Sequence, residues 1–180
     1  MLLLSYSIKE VKLAESTMQW PKAVVSSESS GTIEYSISNP TTFISKDEIY
    51  NNGDWYYTGS TSTDDTRWQA KKTIYDPCPV GWQVPEKKVW SLAGFDGLLF
   101  DGLNIGISFP VDDSNTTWYP AAGYRDYNGG SLYVVVKHGY YWSVTTSGKT
   151  AYRLDFANSG YSRFLTSSRG QGYSVRCQKE

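Results

Sequence analysis

The chain has 180 residues, a length that predicts one domain with a short N-terminal appendage. Its 17 basic and 18 acidic residues leave a formal net charge of -1, so we expect neither nucleic acid nor an anionic membrane surface as a partner. Aromatic residues make up 16% of the chain, which is typical both of β-rich extracellular domains and of binding faces in which Tyr and Trp supply rigid contact area.

The first quarter of the chain gives weak structural signals. Residues 1–45 alternate loosely between polar and apolar positions, as in SYSIKEV and GTIEYSI, and this alternation predicts short strands. We expect residues 1–30 to be an appendage or the end of an upstream region, and residues 31–180 to form the domain. No apolar run approaches the length of a membrane span, so we expect no direct membrane insertion.

Residues 85–95, PEKKVWSLAGF, give the best helix prediction. Pro85 suits the first helical turn and Glu86 suits the helix dipole there. Apolar residues recur behind them at helical spacing, namely Val89, Trp90, Leu92 and Ala93.

After Thr117 the sequence is hairpin-like. It predicts strands separated by turns at residues 128–130 and 147–148, then a loop over residues 157–168, ANSGYSRFLTSS. The last strand, GYSVRC, would direct Tyr173 and Cys177 inward. Together these elements predict an α+β domain with one or two helices, short antiparallel strands and long loops.

The only two cysteines, Cys78 and Cys177, lie almost a hundred residues apart in DPCPVGW and GYSVRC. If they are bonded, they close a long loop and indicate an exported domain; the alternative is a pair of buried thiols in a cytosolic protein. Two cysteines and the single histidine, His138, are too few for a zinc site. We therefore expect no metal and no cofactor.

Signals for catalysis are weak. His138 has no nucleophile motif near it, and the sequence contains no phosphate-binding glycine loop. Two acidic clusters supply oxygen ligands without the spacing of a calcium loop, so we interpret them as solvated turns: Asp64–Asp65, and Asp112–Asp113 with Asn115. We expect a protein that is not an enzyme.

Residues 140–169 mix Tyr, Ser, Thr, Asn, Arg and Phe, and they predict the binding surface. Tyr161, Arg163 and Phe164 would lie together on the loop, and aromatic residues with Arg dominate interface energetics. The alternative is a half-buried antiparallel meander whose polar side chains bind no ligand.

Five segments follow one another in a recognisable order: SISNPTTFIS, RWQAKKTIYDPCPVGWQVP, WYPAAGYRD, GYYWSVTTS and AYRLDF…SRGQGYSVRC. Over residues 31–179 the chain resembles the Fibrobacter succinogenes major paralogous (FISUMP) domain family of Bacteroidetes-type surface proteins. The resemblance implies a C-type lectin-like fold, of the branch that includes the formylglycine-generating enzyme. It also implies an exported protein on the bacterial cell surface, anchored to the outer membrane or associated with pili.

Within this resemblance, both cysteines occupy framework motifs, DPCP and SVRC. The chain lacks the triplets of calcium-dependent sugar binders and the reactive cysteines of the formylglycine-generating enzyme. The expected activity is therefore binding without catalysis. The expected partner is a protein or glycan on another cell or in the host. In the alternative, the chain is a structural pilus subunit, with other subunits as its partners.

The C-terminal pattern RGQGYSVRC also resembles lectin-like targets of diversity-generating retroelements, whose variable positions precede that motif. A near-copy of the encoding DNA beside a reverse-transcriptase gene would mark such a target. The predicted ligand face comprises Ser143, Val144, Thr145, Tyr152, Arg153, Asn158, Tyr161, Arg163, Phe164, Ser167, Arg169 and Gln171, and all of these except Ser143 and Arg169 are also candidate variable positions.

Overall fold

The computed structural model describes residues 23–26, 33–39, 41–45, 65–67, 69–92, 99–110, 114–159 and 162–180. These residues form an α+β domain, as predicted. The described helices are α1 (Ile33–Ser38), α2 (Lys87–Leu92) and a 3-10 turn at Asp65–Arg67. None of the described helices has the length and apolar character that a membrane span requires.

The described strands are short in the first half of the chain and long in the second. They are β1 (Ala23–Ser26), β2 (Thr42–Ser45), β3 (Trp82–Gln83), β4 (Phe100–Asp101), β5 (Gly106–Pro110), β6 (Thr116–Pro120), β7 (Tyr124–Arg125), β8 (Leu132–Tyr133), β9 (His138–Ser147), β10 (Thr150–Ala157), β11 (Ser162–Ser168) and β12 (Gln178–Lys179). Within the described residues they assemble into small sheets of order β1-β2, β11-β10-β9, β12-β3, β4-β5-β6 and β7-β8.

The central sheet is the antiparallel set β11-β10-β9. The predicted turn at residues 147–148 is confirmed, and Gly148 adopts the φ of 55° that this tight connection uses. The prediction of a loop over residues 157–168 is wrong for its second half, because Ser162–Ser168 pairs with β10 as an antiparallel edge strand. Its serines and glycine suggested a loop, whereas the long partner strand β10 provides the pairing.

The central sheet has a hydrophobic core on each face, because neighbouring residues of a strand point to opposite sides. One core comprises Ile44, Cys78, Val84, Tyr140, Trp142, Val144, Ala151 and Tyr173. The other comprises Trp90, Ile107, Phe109, Tyr119, Ala121, Tyr141, Leu154 and Phe156. With both faces covered, residues 140–144 are buried without a break.

The helix prediction for residues 85–95 is confirmed by α2, which packs against β9 and β10. Its Trp90 is fully buried, and the indole Nε1 donates to the Tyr119 hydroxyl at 3.3 Å. The prediction of a strand in GTIEYSI is wrong, because Ile33–Ser38 is helical. The amide side chain of Asn39 caps this helix by donating to the Tyr35 carbonyl at 3.0 Å, a local bond that alternation of apolar residues does not reveal.

The C-terminal prediction is correct in part. Tyr173 is buried, as expected, whereas Cys177 is exposed. The segment GYSVRC makes isolated bridges at Gly172 and Ser174, and the regular strand there is β12.

Cys78 and Cys177 form a disulfide, with their Cα atoms 5.7 Å apart and a sequence separation of 99, so the alternative of two free thiols is wrong. Closing a loop of this length stabilises the fold by roughly 4–5 kcal/mol in the chain-entropy account. The Asp76 carboxylate organises the chain around Cys78 by accepting from the Cys78 amide at 2.8 Å and the Val84 amide at 3.0 Å. The bond therefore joins the C-terminal segment to an ordered loop.

Gly139 of β9 provides a test of the packing between β9 and β10. A Cβ atom at this position would lie 2.0 Å from Cζ of Phe156, which is 1% exposed. We expect Gly139→Ala to lower the free energy of unfolding by roughly 1–3 kcal/mol in denaturant titrations, as overpacked cores do.

Gly102→Ala is the matched control, since a Cβ atom there meets nothing within 4 Å. We expect its effect to stay within about 0.5 kcal/mol. Equal stability of the two variants would contradict the described contact between Gly139 and Phe156.

Candidate functional site

Four tyrosines gather where the C-terminal segment crosses the central sheet: Tyr124, Tyr133, Tyr140 and Tyr173, here called the tyrosine cluster. Tyr124 is its centre, with ring centroids 5.5 Å from Tyr133, 5.1 Å from Tyr140 and 5.6 Å from Tyr173. The Tyr173 ring also lies 4.6 Å from Trp142. The cluster runs from the buried core at Trp142 to the surface at Tyr133, which is 48% exposed.

Arg153 of β10 places its guanidinium beside two stacked members of this cluster, Tyr140 and Tyr173. The guanidinium carbon lies 5.3 Å from the ring centroids of both Tyr140 and Tyr173, within range of a cation–π interaction. The same group donates to the Thr166 carbonyl at 3.0 Å and to the Ser167 hydroxyl. Arg153 therefore links β10, β11 and the C-terminal segment.

The Asp155 carboxylate lies beside this guanidinium. Arg153 donates to Asp155 Oδ2 at 3.4 Å, and Nδ1 of His138 lies 3.7 Å from Asp155 Oδ1. Asp155 Oδ1 is buried and accepts no hydrogen bond from the described part of the chain. The carboxylate is thus placed between one guanidinium and one imidazole, and His138 in turn contacts the Tyr140 hydroxyl at 3.2 Å.

Burial changes the acidity of two members of the cluster, and also that of Tyr141 in the core on the other face of the sheet. It raises the pKa of Tyr173 to about 12, and it raises the pKa of Tyr140 and of Tyr141 further. The nearby Asp155 carboxylate adds to the rise at Tyr140, because it repels a phenolate. The folded protein therefore holds these phenols in their neutral form.

Residues 132–137, which comprise β8 and the four residues after it, project from the outer end of the cluster and are here called the 132–137 loop. Leu132, Tyr133 and Val136 are 43%, 48% and 48% exposed. Val134 and Val136 adopt φ values of 46° and 60°, a left-handed conformation that costs an L residue roughly 1–2 kcal/mol. Hydrogen bonds hold the loop in place, including one from the Val136 amide to the Ala121 carbonyl at 2.9 Å.

The sequence analysis missed this loop as a candidate surface. The run LYVVV is rich in β-branched residues, and the sequence therefore predicts that it is part of a strand between the turns at residues 128–130 and 147–148. Only two residues of it belong to β8, because the left-handed valines interrupt the extended backbone.

Three residues of the predicted ligand face are buried. Ser143 and Val144 are 0% and 4% exposed, and Arg169 is 4% exposed. The Ser143 hydroxyl donates to the Pro85 carbonyl at 3.0 Å, and Arg169 pairs with Asp65 and donates to the Gly148 carbonyl. Their side chains hold neighbouring segments together and do not present a free surface.

Four more of the predicted residues have partners within the fold. Arg153 and Ser167 belong to the cluster contacts described above, and Ser167 lies 3.0 Å from the Tyr173 hydroxyl. Phe164 stacks on the core residue Trp90 with centroids 6.3 Å apart. The Gln171 amide binds the Asp126 carboxylate at 3.2 Å and the Tyr127 amide at 3.1 Å.

The remaining predicted residues are spread over the surface or lie outside the residues that the structure describes. Asn158 is exposed, and Tyr152 is half-buried with the Lys87 ammonium 4.0 Å above its ring. Thr145 lies at the opposite end of β9 from His138. Tyr161 lies outside the described residues, and of Arg163 only the backbone position in β11 is described. The predicted ligand face thus stays a prediction, with parts of it at different places on the sheet.

Within the described ranges, no group of three or more His, Cys, Asp or Glu residues is arranged to hold a metal ion. Asp64, Asp112 and Asp113 of the two acidic clusters lie outside those ranges.

Comparison with known protein families gives a match in the second half of the chain. The family described as a domain of unknown function (DUF8237) matches residues 110–178, a span that contains the tyrosine cluster and Cys177. No curated protein and no solved structure matches the chain.

The buried tyrosines predict how stability depends on pH. In the unfolded chain a tyrosine titrates near pH 10, whereas folding raises the pKa of Tyr140, Tyr141 and Tyr173. Above about pH 10 the unfolded state therefore binds fewer protons than the folded state, and the free energy of unfolding falls as the pH rises.

Denaturant titrations between about pH 8 and about pH 11 would measure this fall. Tyr173→Phe serves as the control, because it removes one titrating group and should make the dependence on pH shallower. A free energy of unfolding that does not change over this pH range would contradict the burial of Tyr140, Tyr141 and Tyr173.

Proposed function

We propose that this chain is a non-enzymatic, exported, cell-surface ligand-binding domain with a C-type lectin-like fold. The proposed binding surface is the 132–137 loop together with the exposed part of the tyrosine cluster. It replaces the larger face predicted from the sequence, from which Ser143, Val144 and Arg169 are withdrawn because they are buried.

The observation that carries the proposal is the conformation of the 132–137 loop. Val134 and Val136, two residues apart, both have the unfavourable left-handed φ, and such strain persists where the surrounding structure enforces it, often at binding sites. Here the strain accompanies the exposure of Leu132, Tyr133 and Val136 on one short loop. A rigid aliphatic and aromatic set of this kind is suited to anchoring a partner.

Two features of the scaffold support the lectin-like fold. The C-terminal segment lies against the long central sheet and is joined by a disulfide to the loop before α2. The described connection over residues 69–81, which precedes β3, contains neither helix nor strand. A disulfide of this kind is also typical of exported proteins, which supports the proposed location at the bacterial cell surface.

Diversification by a retroelement, if it occurs, is restricted by the same geometry. Substitution at Val144 or Phe164 would disturb the core, and substitution at Arg153 or Ser167 would disturb the cluster. The positions at which variation fits this fold are Thr145, Tyr152, Asn158 and Gln171, which are exposed or half-buried.

Binding of the fluorescently labelled, multimerised chain to a panel of bacterial and epithelial cells tests the proposal. We expect the triple variant Leu132→Ser, Tyr133→Ser and Val136→Ser to lose cell binding at least about tenfold, because it removes the central apolar anchors. Circular dichroism would establish that the variant remains folded.

The matched control replaces three other strongly exposed apolar residues, through Ile74→Ser, Val80→Ser and Leu103→Ser, whose exposures are 92%, 96% and 94%. This control should bind cells like the unmodified chain. Absence of binding by the unmodified chain would refute the function, whereas equal binding of both triple variants would refute the surface.

The rival function is that of a structural pilus subunit. Isolation of the chain from the cell envelope distinguishes the two: stoichiometric co-purification with pilins, lost in the triple variant of the 132–137 loop, would favour assembly over adhesion.

A further inference from the structure

The turn between β4 and β5, residues 102–105 and here called the β4–β5 turn, is closed by the residue before it, Asp101. Its Oδ1 accepts from the Leu103 amide at 2.9 Å and from the Asn104 amide at 3.1 Å. Its Oδ2 accepts from the side-chain amide of Asn104 at 2.6 Å. The bonds from Asn104 and Leu103 hold the pKa of Asp101 below its ordinary value, so the carboxylate stays ionised at neutral pH.

Ile105, the last residue of this turn, has a left-handed backbone. Its φ is 60°, which is unfavourable for a β-branched residue. Two contacts hold it there: its amide donates to the Asp101 carbonyl at 2.8 Å, and its side chain packs against the core that contains Trp90. In the described part of the chain, the other non-glycine residues with a positive φ are Val134 and Val136. The unfavourable backbone conformations are therefore confined to the β4–β5 turn and the 132–137 loop.

Ala121 joins these two segments. Its amide donates to the Ile105 carbonyl at 2.9 Å, and its carbonyl accepts from the Val136 amide at 2.9 Å. Ala121 is 0% exposed, so water cannot replace either hydrogen bond, and a lost partner would leave a buried polar group unpaired. A continuous path of backbone hydrogen bonds therefore runs from the β4–β5 turn through Ala121 to the 132–137 loop.

The backbones on both sides of Ala121 approach each other closely. A Cβ atom at Gly106 would lie 2.3 Å from the Tyr119 carbonyl oxygen. A Cβ atom at Gly123 would lie 2.4 Å from the Tyr133 carbonyl oxygen, which belongs to the 132–137 loop. Segments packed this closely pass a displacement on to their neighbours, because no space is left to absorb it.

We propose that the β4–β5 turn sets the conformation of the 132–137 loop, and that Asp101 is the positioning residue. Asp101 acts through Ile105 and Ala121 and does not touch the partner. The inference rests on the proposed function in so far as the 132–137 loop is the binding surface. A loop held in one conformation before the partner arrives loses less conformational entropy on binding, so Asp101 contributes to affinity from a distance.

Hydrogen exchange of individual amides in Asp101→Ala tests the positioning role without any partner. The Ile105, Ala121 and Val136 amides should exchange at least about tenfold faster, because the loss of hydrogen bonds to a charged group opens the turn locally. The amides of β10 should exchange as in the unmodified chain. Unchanged exchange at Ala121 and Val136 would overturn the proposal. Equally faster exchange throughout β10 would also overturn it, because Asp101 would then stabilise the whole fold and would not position one loop.

Two substitutions at the same turn are the matched controls. Asp101→Asn keeps an acceptor oxygen for the Leu103 and Asn104 amides, so it should retain most of the protection at Val136. Leu103→Ser removes a side chain that is 94% exposed and leaves the amide in place, so it should not change the exchange at Val136. Equal acceleration in Asp101→Ala and Leu103→Ser would contradict a specific role of the carboxylate.

The cell-binding assay separates this inference from the proposed function. Asp101→Ala should bind cells about fivefold more weakly than the unmodified chain, a change within the range that substitutions along a connected network produce. Asp101→Asn and Leu103→Ser should bind like the unmodified chain. Faster exchange at Val136 with unchanged cell binding would overturn the contribution of Asp101 to affinity. If the unmodified chain binds no cells, the proposed function fails, and the exchange experiment still decides whether Asp101 positions the loop.

Discussion

The packing of the Tyr173 ring against Trp142 is the contact on which the rest of the second half of the chain depends. Tyr173 is 6% exposed, and its neighbours Gly172 and Ser174 form backbone bridges to Arg125 and Tyr141. The ring thus fixes the C-terminal segment across one face of the central sheet, just before the disulfide at Cys177. Burial of a large aromatic side chain stabilises such an arrangement by several kcal/mol, more than the flanking hydrogen bonds alone supply.

The contact between Tyr173 and Trp142 also determines which side chains lie at the surface. With Tyr173 in place, the Arg153 guanidinium lies beside the Tyr173 ring and is bonded to β11, so it acts as a linker between strands. The outer tyrosines then support the 132–137 loop, and Tyr133 stacks on Tyr124 with an interplanar angle of 21°. At the far end of β9, the Pro85 carbonyl accepts from the Ser143 hydroxyl and the Val144 amide, and it fixes that end of the strand to the segment before α2. Different contacts therefore hold the two ends of β9.

Local patterns in the sequence predicted the elements that local chemistry controls. Pro85 and the apolar spacing behind it indicated α2, and Gly148 marked the turn between β9 and β10. The helix α1 was missed because its local cap, the bond from Asn39 to the Tyr35 carbonyl, is not visible in the alternation of apolar residues. The strand β11 was not predictable because it depends on a partner distant in sequence, β10, which lies beside it. The candidate surface was misplaced for the same reason. Burial of Val144 and the packing of Phe164 on Trp90 come from contacts far apart in sequence, and the left-handed valines have no sequence signature.

Hydrogen exchange of individual amides in a Tyr173→Ala variant tests the central role of this ring most directly. In the folded protein the Trp142 amide donates to the Ser174 carbonyl at 2.9 Å, and the Ser174 amide donates to the Tyr140 carbonyl at 3.0 Å. We predict that both amides lose protection in the alanine variant, that Tyr173→Phe retains it, and that β5 stays protected in both. Unchanged protection of the Trp142 and Ser174 amides in Tyr173→Ala would contradict the account, because the C-terminal segment would then hold its place without the ring.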